Sequence, residues 1–244
     1  MRPGDSLEVF RDTRLELRTA TLMAARFGAP KQVLSDAAWN GGWMPSALAV
    51  ANHQMRPAAV TSQAEFDAYC RTVLAEAGLP PCAALQLTAA ALPRGEWVQD
   101  AQRAPRLTVC VSAGVRGNAV AAGDPASYQE DGEGGYLALP VGTLNVMVFL
   151  DAAVAPAACA HVFTVVAEAK AAVLAARRVP SRYSGAIATG TGTDSTIVAS
   201  DPAAVLCFNT TSTHSALGSR IADALRTALA AALDREPAAD EAPA

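Results

Sequence analysis

Aromatic residues are scarce in this chain, 5% of 244, and charged residues make up only 17%. So few rings leave no stacking platform for single-stranded nucleic acid. Net charge is −4, with no basic stripe to neutralise phosphates, so nucleic acid is excluded as a partner class. The five cysteines (Cys70, Cys82, Cys110, Cys159, Cys207) are odd in number and widely spaced, without a C-x-x-C pair. That argues against a disulfide framework and against a zinc cluster. Histidine is rarer still: His53, His161 and His214. No H-E-x-x-H spacing, G-x-S-x-G elbow, Walker A loop or strand-linked G-x-G-x-x-G occurs. No metal and no cofactor are therefore expected. The most apolar run, Leu144 to Ala160, is cut by Asp151 and Pro156 before it reaches membrane-spanning length. The first residues, Met1-Arg-Pro-Gly-Asp-Ser6, lack the apolar core of a secretory signal. The expectation is a soluble, cytoplasmic protein with no membrane partner.

What is present is apolar aliphatic material, 51% of the chain, enough for one large core. Residues 7–10 and 15–19 alternate polar and apolar, as half-buried strands do. Val33-Leu34 reads as a short strand running into the turn Asn40-Gly-Gly-Trp43. Helices are expected over Pro45–Met55 and Gln63–Glu76, the second stopped by Gly78 and Pro80-Pro81. Strands are expected over 83–90, 106–112, 143–150, 197–198 and 205–208, with 94–97 and 99–105 as connections. Tyr128 to Gly135 is acidic and glycine-rich and reads as mobile. In Pro156–Arg177, Val162, Val165, Val166, Ala169 and Val173 share one helical face. Thr213 is placed to open and cap a last helix carrying the ladder Leu217, Ile221, Leu225, Leu229 and Leu233. The fold class expected is α+β, a layered sandwich of mixed sheets with long helices outside. Residues 1–233 form a single domain, followed by a polar, disordered tail over 234–244.

The stretch Ala188-Thr-Gly-Thr-Gly-Thr-Asp194 packs three threonines, two glycines and one carboxylate into seven residues. Glycines let backbone N–H groups approach an oxyanion or a carbonyl closely, and the hydroxyls and carboxylate supply polar chemistry. Asn118, Asp124 and Asp194 each sit in a glycine-rich loop, where an Asx-turn is the ordinary role for any one of them. His214, ahead of the last helix, is disfavoured as an imidazolium and stays competent as a base. Glu168 and Lys170, two residues apart, point about 200° apart on a helix and cannot both face one site.

Several blocks in order resemble one family. They are Ser112-Ala-Gly-Val, Asn118-Ala-Val, Ala122-Gly-Asp-Pro125, Gly142-Thr-Leu-Asn145, Glu168-Ala-Lys170, Ser184-Gly185, Ala188–Asp194, and Thr213-His214 with Leu217-Gly218. Together with Trp39-Asn-Gly-Gly42 they are similar to the adenosylcobinamide amidohydrolase family. The resemblance implies corrinoid salvage: hydrolysis of the amide between aminopropanol and a corrin propionate, giving adenosylcobyric acid, with a small-molecule corrinoid as partner. The order of the 143–151 strand, long helix and Ser-Gly strand resembles the β-aminopeptidase and ornithine acetyltransferase type, which implies an α-β-β-α sandwich. For such a hydrolysis the residues of this sequence offer as catalytic candidates His214, Asp194, Glu168, Lys170 and Ser112. The substrate-binding candidates are Asn40, Asn118, Asp124, Asn145, Thr189, Gly190, Thr191, Gly192 and Thr193. His214, Asp194 or Glu168 would activate water, Lys170 or His214 would protonate the amine, and a covalent route through Ser112 or a 189–193 threonine stays open. Trp39, Trp43 and Tyr183 are candidate ring contacts. A metal-free amidohydrolase on another amide or peptide, and a corrinoid-binding module without catalysis, remain as alternatives, and homo-oligomerisation is left open.

Overall fold

The computed structural model describes residues 1–55, 62–126 and 143–236; the expected mobile stretch 128–135 and the tail beyond 236 lie outside the described residues. In chain order the elements are β1 (Ser6–Phe10), β2 (Thr13–Thr19), β3 (Leu22–Ser35), β4 (Gly42–Gln54), α1 (Gln63–Glu76), β5 (Ala84–Thr88), β6 (Glu96–Asp100), β7 (Leu107–Gly114), β8 (Ala119–Val120), β9 (Thr143–Leu150), β10 (Ala153–Val154), α2 (Pro156–Ala176), β11 (Gly190–Thr191), β12 (Ser195–Ser200), β13 (Cys207–Phe208) and α3 (Ala216–Asp234).

One long strand turns a single mixed sheet into two facing layers. β3 pairs with β2 through residues 22–25 and with β12 through residues 32–35, so its two halves belong to different layers. The first layer continues through β4 to β5; the second runs β12-β9-β7-β6. Three buried clusters fix the order of the layers. Leu22, Ala49, Ala51, Cys70, Leu74 and Leu85 join the first layer to α1. Phe10, Leu17, Met23, Val50, Met147, Phe149 and Ile197 fill the space between the layers. Val109, Val146, Val148, Val165, Val166, Ile221, Leu225 and Leu229 join the second layer to α2 and α3. The architecture is thus α+β with layers in the order α-β-β-α, as the resemblance implies.

Strand parity explains the apolar runs. β9 is buried along all eight residues because Met147 and Phe149 face the other sheet while Val146 and Val148 face the helices. By length and composition α2 is apolar enough to cross a membrane, and its valine stripe is packed in the core.

Four local expectations are corrected. The expected helix Pro45–Met55 is instead strand up to Gln54, within β4; its small residues sit between two cores, with Val50 on one face and Ala49 and Ala51 on the other. Val33-Leu34 is the end of a strand that begins at Leu22. Glu96, Trp97, Gln99 and Asp100, expected in connections, belong to β6, which pairs antiparallel with β7. Ser215, not Thr213, caps α3, its hydroxyl accepting from Gly218 N at 2.9 Å. Gly218 is required there, because a Cβ would lie 2.0 Å from the Ser212 carbonyl oxygen. At the far end, Asp234 is the last helical residue of α3 and pairs with Arg177.

Candidate active site

The ends of five strands meet at one edge of the space between the sheets. Ser112 and Ser195 are the cross-strand neighbours of Asn145, so the three form a row across β7, β9 and β12. Asn52 and Gln86, themselves neighbours on β4 and β5, face that row from the other layer. All five are at most 7% exposed. The Asn145 amide donates to Asn52 Oδ1 and to the Leu87 carbonyl, both at 3.0 Å. Asn52 passes the chain on, donating to Ser112 Oγ at 2.9 Å. Gln86 reciprocates across the sheets, donating to the Val146 carbonyl at 3.1 Å and to Ser195 Oγ at 3.2 Å. The backbone carbonyls of Leu87 and Val146 fix the orientation of both amides, since only an NH₂ can meet a carbonyl. Among the described residues this leaves Gln86 Oε1 and Asn145 Oδ1 as buried acceptors with no donor, an arrangement that usually costs about 1–3 kcal/mol per group.

Above this row lies the 188–194 turn. Asp194 Oδ1 accepts from Leu144 N at 3.0 Å and Thr191 N at 3.1 Å, and from the Thr191 hydroxyl. Its Oδ2 accepts from Lys170, which reaches over from α2. Both side chains of this pair are 16% exposed. Gly190 and Gly192 are glycines for want of room: a Cβ on Gly190 would lie 2.5 Å from Asp194 Oδ2, and one on Gly192 would lie 2.9 Å from Asn118 Nδ2. Thr193 and Thr143 share a hydroxyl contact of 2.8 Å.

The loop after β7 is stitched to the same turn. β8 pairs with β11, and Thr189 Oγ1 accepts from Ala122 N at 2.9 Å. Tyr183 donates to Asn118 Oδ1 at 2.8 Å, which makes it a loop contact. Asp124 accepts from the Ser181 hydroxyl and from Ala121 N. The hydroxyls of Ser181 and Ser184 hold its carboxyl below the usual range.

Other candidates lie apart. Glu168 leaves α2 on a different side from Lys170 and accepts from the Thr213 hydroxyl. With His161, Thr164, Ser212 and His214 it lines an open cleft of about 280 Å³ on the helical layer. Asn40 donates to the Pro81 and Ala83 carbonyls ahead of β5, at 2.8 and 3.0 Å. Trp39 packs edge-on against Phe66, while Trp43 is 38% exposed on β4. His53 contacts the Tyr69 hydroxyl at 2.7 Å, and burial lowers its pKa.

The structure therefore gathers Ser112, Asn118, Asn145, Lys170, Thr189 and Gly190–Asp194, with Asp124 at their margin. Among the described residues, Glu168 and His214 line the outer cleft and Asn40 bonds the chain ahead of β5, apart from that group. Asn52, Gln86, Thr143 and Ser195 were missed. For Asn52 and Gln86 the signal was a polar residue inside an apolar strand, which a buried strand tolerates only with a partner; Thr143 and Ser195 open their strands and carry no such signal. Asn52 was hidden further by the helical reading of its segment.

No curated protein matches the chain. A family model described as Adenosylcobinamide amidohydrolase matches residues 6–241, nearly the whole of it. That span includes both β-layers, all three helices and every residue of the polar cluster. The chain belongs to the adenosylcobinamide amidohydrolase family, hydrolases of carbon–nitrogen amide bonds whose substrate is a corrinoid.

Proposed function

We propose that this protein hydrolyses the amide joining aminopropanol to a corrin propionate in adenosylcobinamide, releasing adenosylcobyric acid and 1-amino-2-propanol. Family membership supports the substrate class. One observation supports the placement: side chains from α2, β7, β9 and the 118–124 and 188–194 loops converge at one end of the sandwich. Convergent polar groups on rigid strands suit the binding of a reacting amide.

Hydrolysis breaks the C–N bond, adds the water oxygen to the carbonyl carbon and protonates the departing nitrogen. The tetrahedral anion formed on the way needs positive charge or donors beside it. Lys170, paired with Asp194, brings a cation to this end of the fold. Its ammonium steadies that oxyanion; as it passes one of its protons to the departing nitrogen it takes up a proton from the attacking water, so the ammonium is restored and the acid and the amine leave. Asp194 holds the ammonium and the turn in place. The Thr143–Thr193 hydroxyl pair orients the water, and Ser112, anchored by Asn52, bonds the substrate amide.

The experiment is to incubate purified protein with adenosylcobinamide and follow both products by mass spectrometry. Stoichiometric adenosylcobyric acid and aminopropanol are expected. Corrinoid co-eluting with the protein but left intact would point instead to a binding module. No binding at all would point to another amide.

A further inference from the structure

Three consecutive charged residues close α3, and each grips a different element. Asp234 pairs with Arg177 at the end of α2. Arg235 pairs with Glu96 of β6 and donates to the Gly95 carbonyl at 2.9 Å. Glu236 Oε1 accepts from two successive backbone amides, Val115 N at 3.0 Å and Arg116 N at 3.1 Å. Its side chain is 12% exposed, and the Arg116 guanidinium lies 4.0 Å from Oε2. The two amides open the turn that ends where Ala119 N donates to the Val115 carbonyl at 3.0 Å. Asn118, 1% exposed, is carried by that turn against Gly192.

A carboxylate that accepts from consecutive amides at the head of a turn acts as an N-cap does, fixing the dihedrals of the residues that follow. We infer that Glu236 is a positioning residue for the amide-hydrolysing site: it sets the 115–119 turn and thereby the place of Asn118 beside the Gly190–Asp194 loop. The inference rests on the site proposed above. It gives the end of α3 a part in activity through the backbone, with no contact between Glu236 and substrate.

The test compares Glu236→Ala, Glu236→Gln and, as a control at the neighbouring grip, Asp234→Ala, all in the full chain. Loss of one charge-assisted cap is expected to speed exchange of the Val115 and Arg116 amides by roughly tenfold or more. In Glu236→Ala, kcat on adenosylcobinamide falls by roughly tenfold with KM nearly unchanged. Glu236→Gln, which keeps an acceptor oxygen, recovers most of both. Asp234→Ala lowers the melting temperature but moves neither the two amides nor kcat. Unchanged exchange at Val115 and Arg116 in Glu236→Ala overturns the inference, and so does faster exchange with unchanged kcat. If the unsubstituted protein turns over no adenosylcobinamide, the functional proposal fails; the exchange data then decide the cap by themselves.

Discussion

Asp194→Ala would separate a residue that organises the site from one that merely borders it. The carboxylate takes Leu144 N, the amide and hydroxyl of Thr191, and the Lys170 ammonium. Alanine strands all four donors. Removing one side of a fully buried ion pair costs about 3–5 kcal/mol. With both side chains 16% exposed, some of that is recovered by solvent, leaving about 2–4 kcal/mol. For a chain of this size each kcal/mol shifts Tm by about 2–4 °C, so a fall of roughly 4–16 °C is expected. Asp194→Asn keeps an acceptor for Leu144 and Thr191 but loses the charge, and costs about 1–2 kcal/mol. A cycle with Lys170→Met isolates the pair, with a coupling of about 1–3 kcal/mol. Urea unfolding of the four proteins measures all of this. A cost under about 0.5 kcal/mol for alanine, or equal costs for Asn and Ala, would refute the assignment of Asp194 as the organiser of this turn.

Gly190→Ala forces a Cβ to within 2.5 Å of Asp194 Oδ2 and 3.0 Å of Lys170 Nζ. It should cost about 1–3 kcal/mol in urea unfolding and most of the turnover, whereas unaltered unfolding and kcat would mean that the turn has slack. Substituting His214 by Ala and Glu168 by Gln should leave adenosylcobinamide turnover within about twofold, since both line the outer cleft; a hundredfold loss in either would move the chemistry to that cleft. Acid should weaken the fold in a defined window. Burial would raise the Asp12 and Asp100 carboxyls, but Thr13 with Lys31, and Arg220 with Arg103, outweigh it and hold both below the ordinary range. The unfolded chain therefore binds more protons just below its carboxylate pKa of about 3.9, so stability is level above about pH 5 and falls as pH drops through the folded-state values. Urea midpoints at several pH values check this, and Lys31→Met, which removes the buried ammonium beside Asp12 and Asp201, should make the acid limb shallower.

Helices and strands with a clear period were legible. The four-residue ladder of α3, the valine face of α2 and the runs of β7 and β9 all carry their burial in the sequence. β3 and β4 were not. In β4 the run Ala47-Leu-Ala-Val-Ala51 has high helical propensity, and the strand wins because it pairs with β3 on one side and β5 on the other. Arg26 and Lys31 lie within β3, where polar residues blur the alternation; Lys31 is tolerated at 2% exposure only because Asp12 and Asp201 receive it. No local rule announces a partner 170 residues away.

The site poses the same problem more sharply. β9 reads Thr143-Leu-Asn-Val-Met-Val-Phe-Leu150, and since both of its faces are covered there is no alternation to say which way Asn145 points. A lone amide in such a strand must nonetheless find partners, because an unpaired one costs about 1–3 kcal/mol. Its partners are Asn52 and Leu87, on the opposite layer. The same reasoning applies to Gln86, which is fully buried and bonded to β9 and β12. The two amides thus clasp the sheets where the apolar filling of Met147, Phe149 and Ile197 stops. Polar groups kept at the edge of an otherwise apolar layer lower its stability unless they do something the apolar filling cannot. Here Asn145 holds Asn52, which bonds Ser112, and Gln86 bonds Ser195, so both hydroxyls are fixed in one row next to the Gly190–Asp194 turn; a site at that turn would account for amides in strands where hydrophobic residues would pack better.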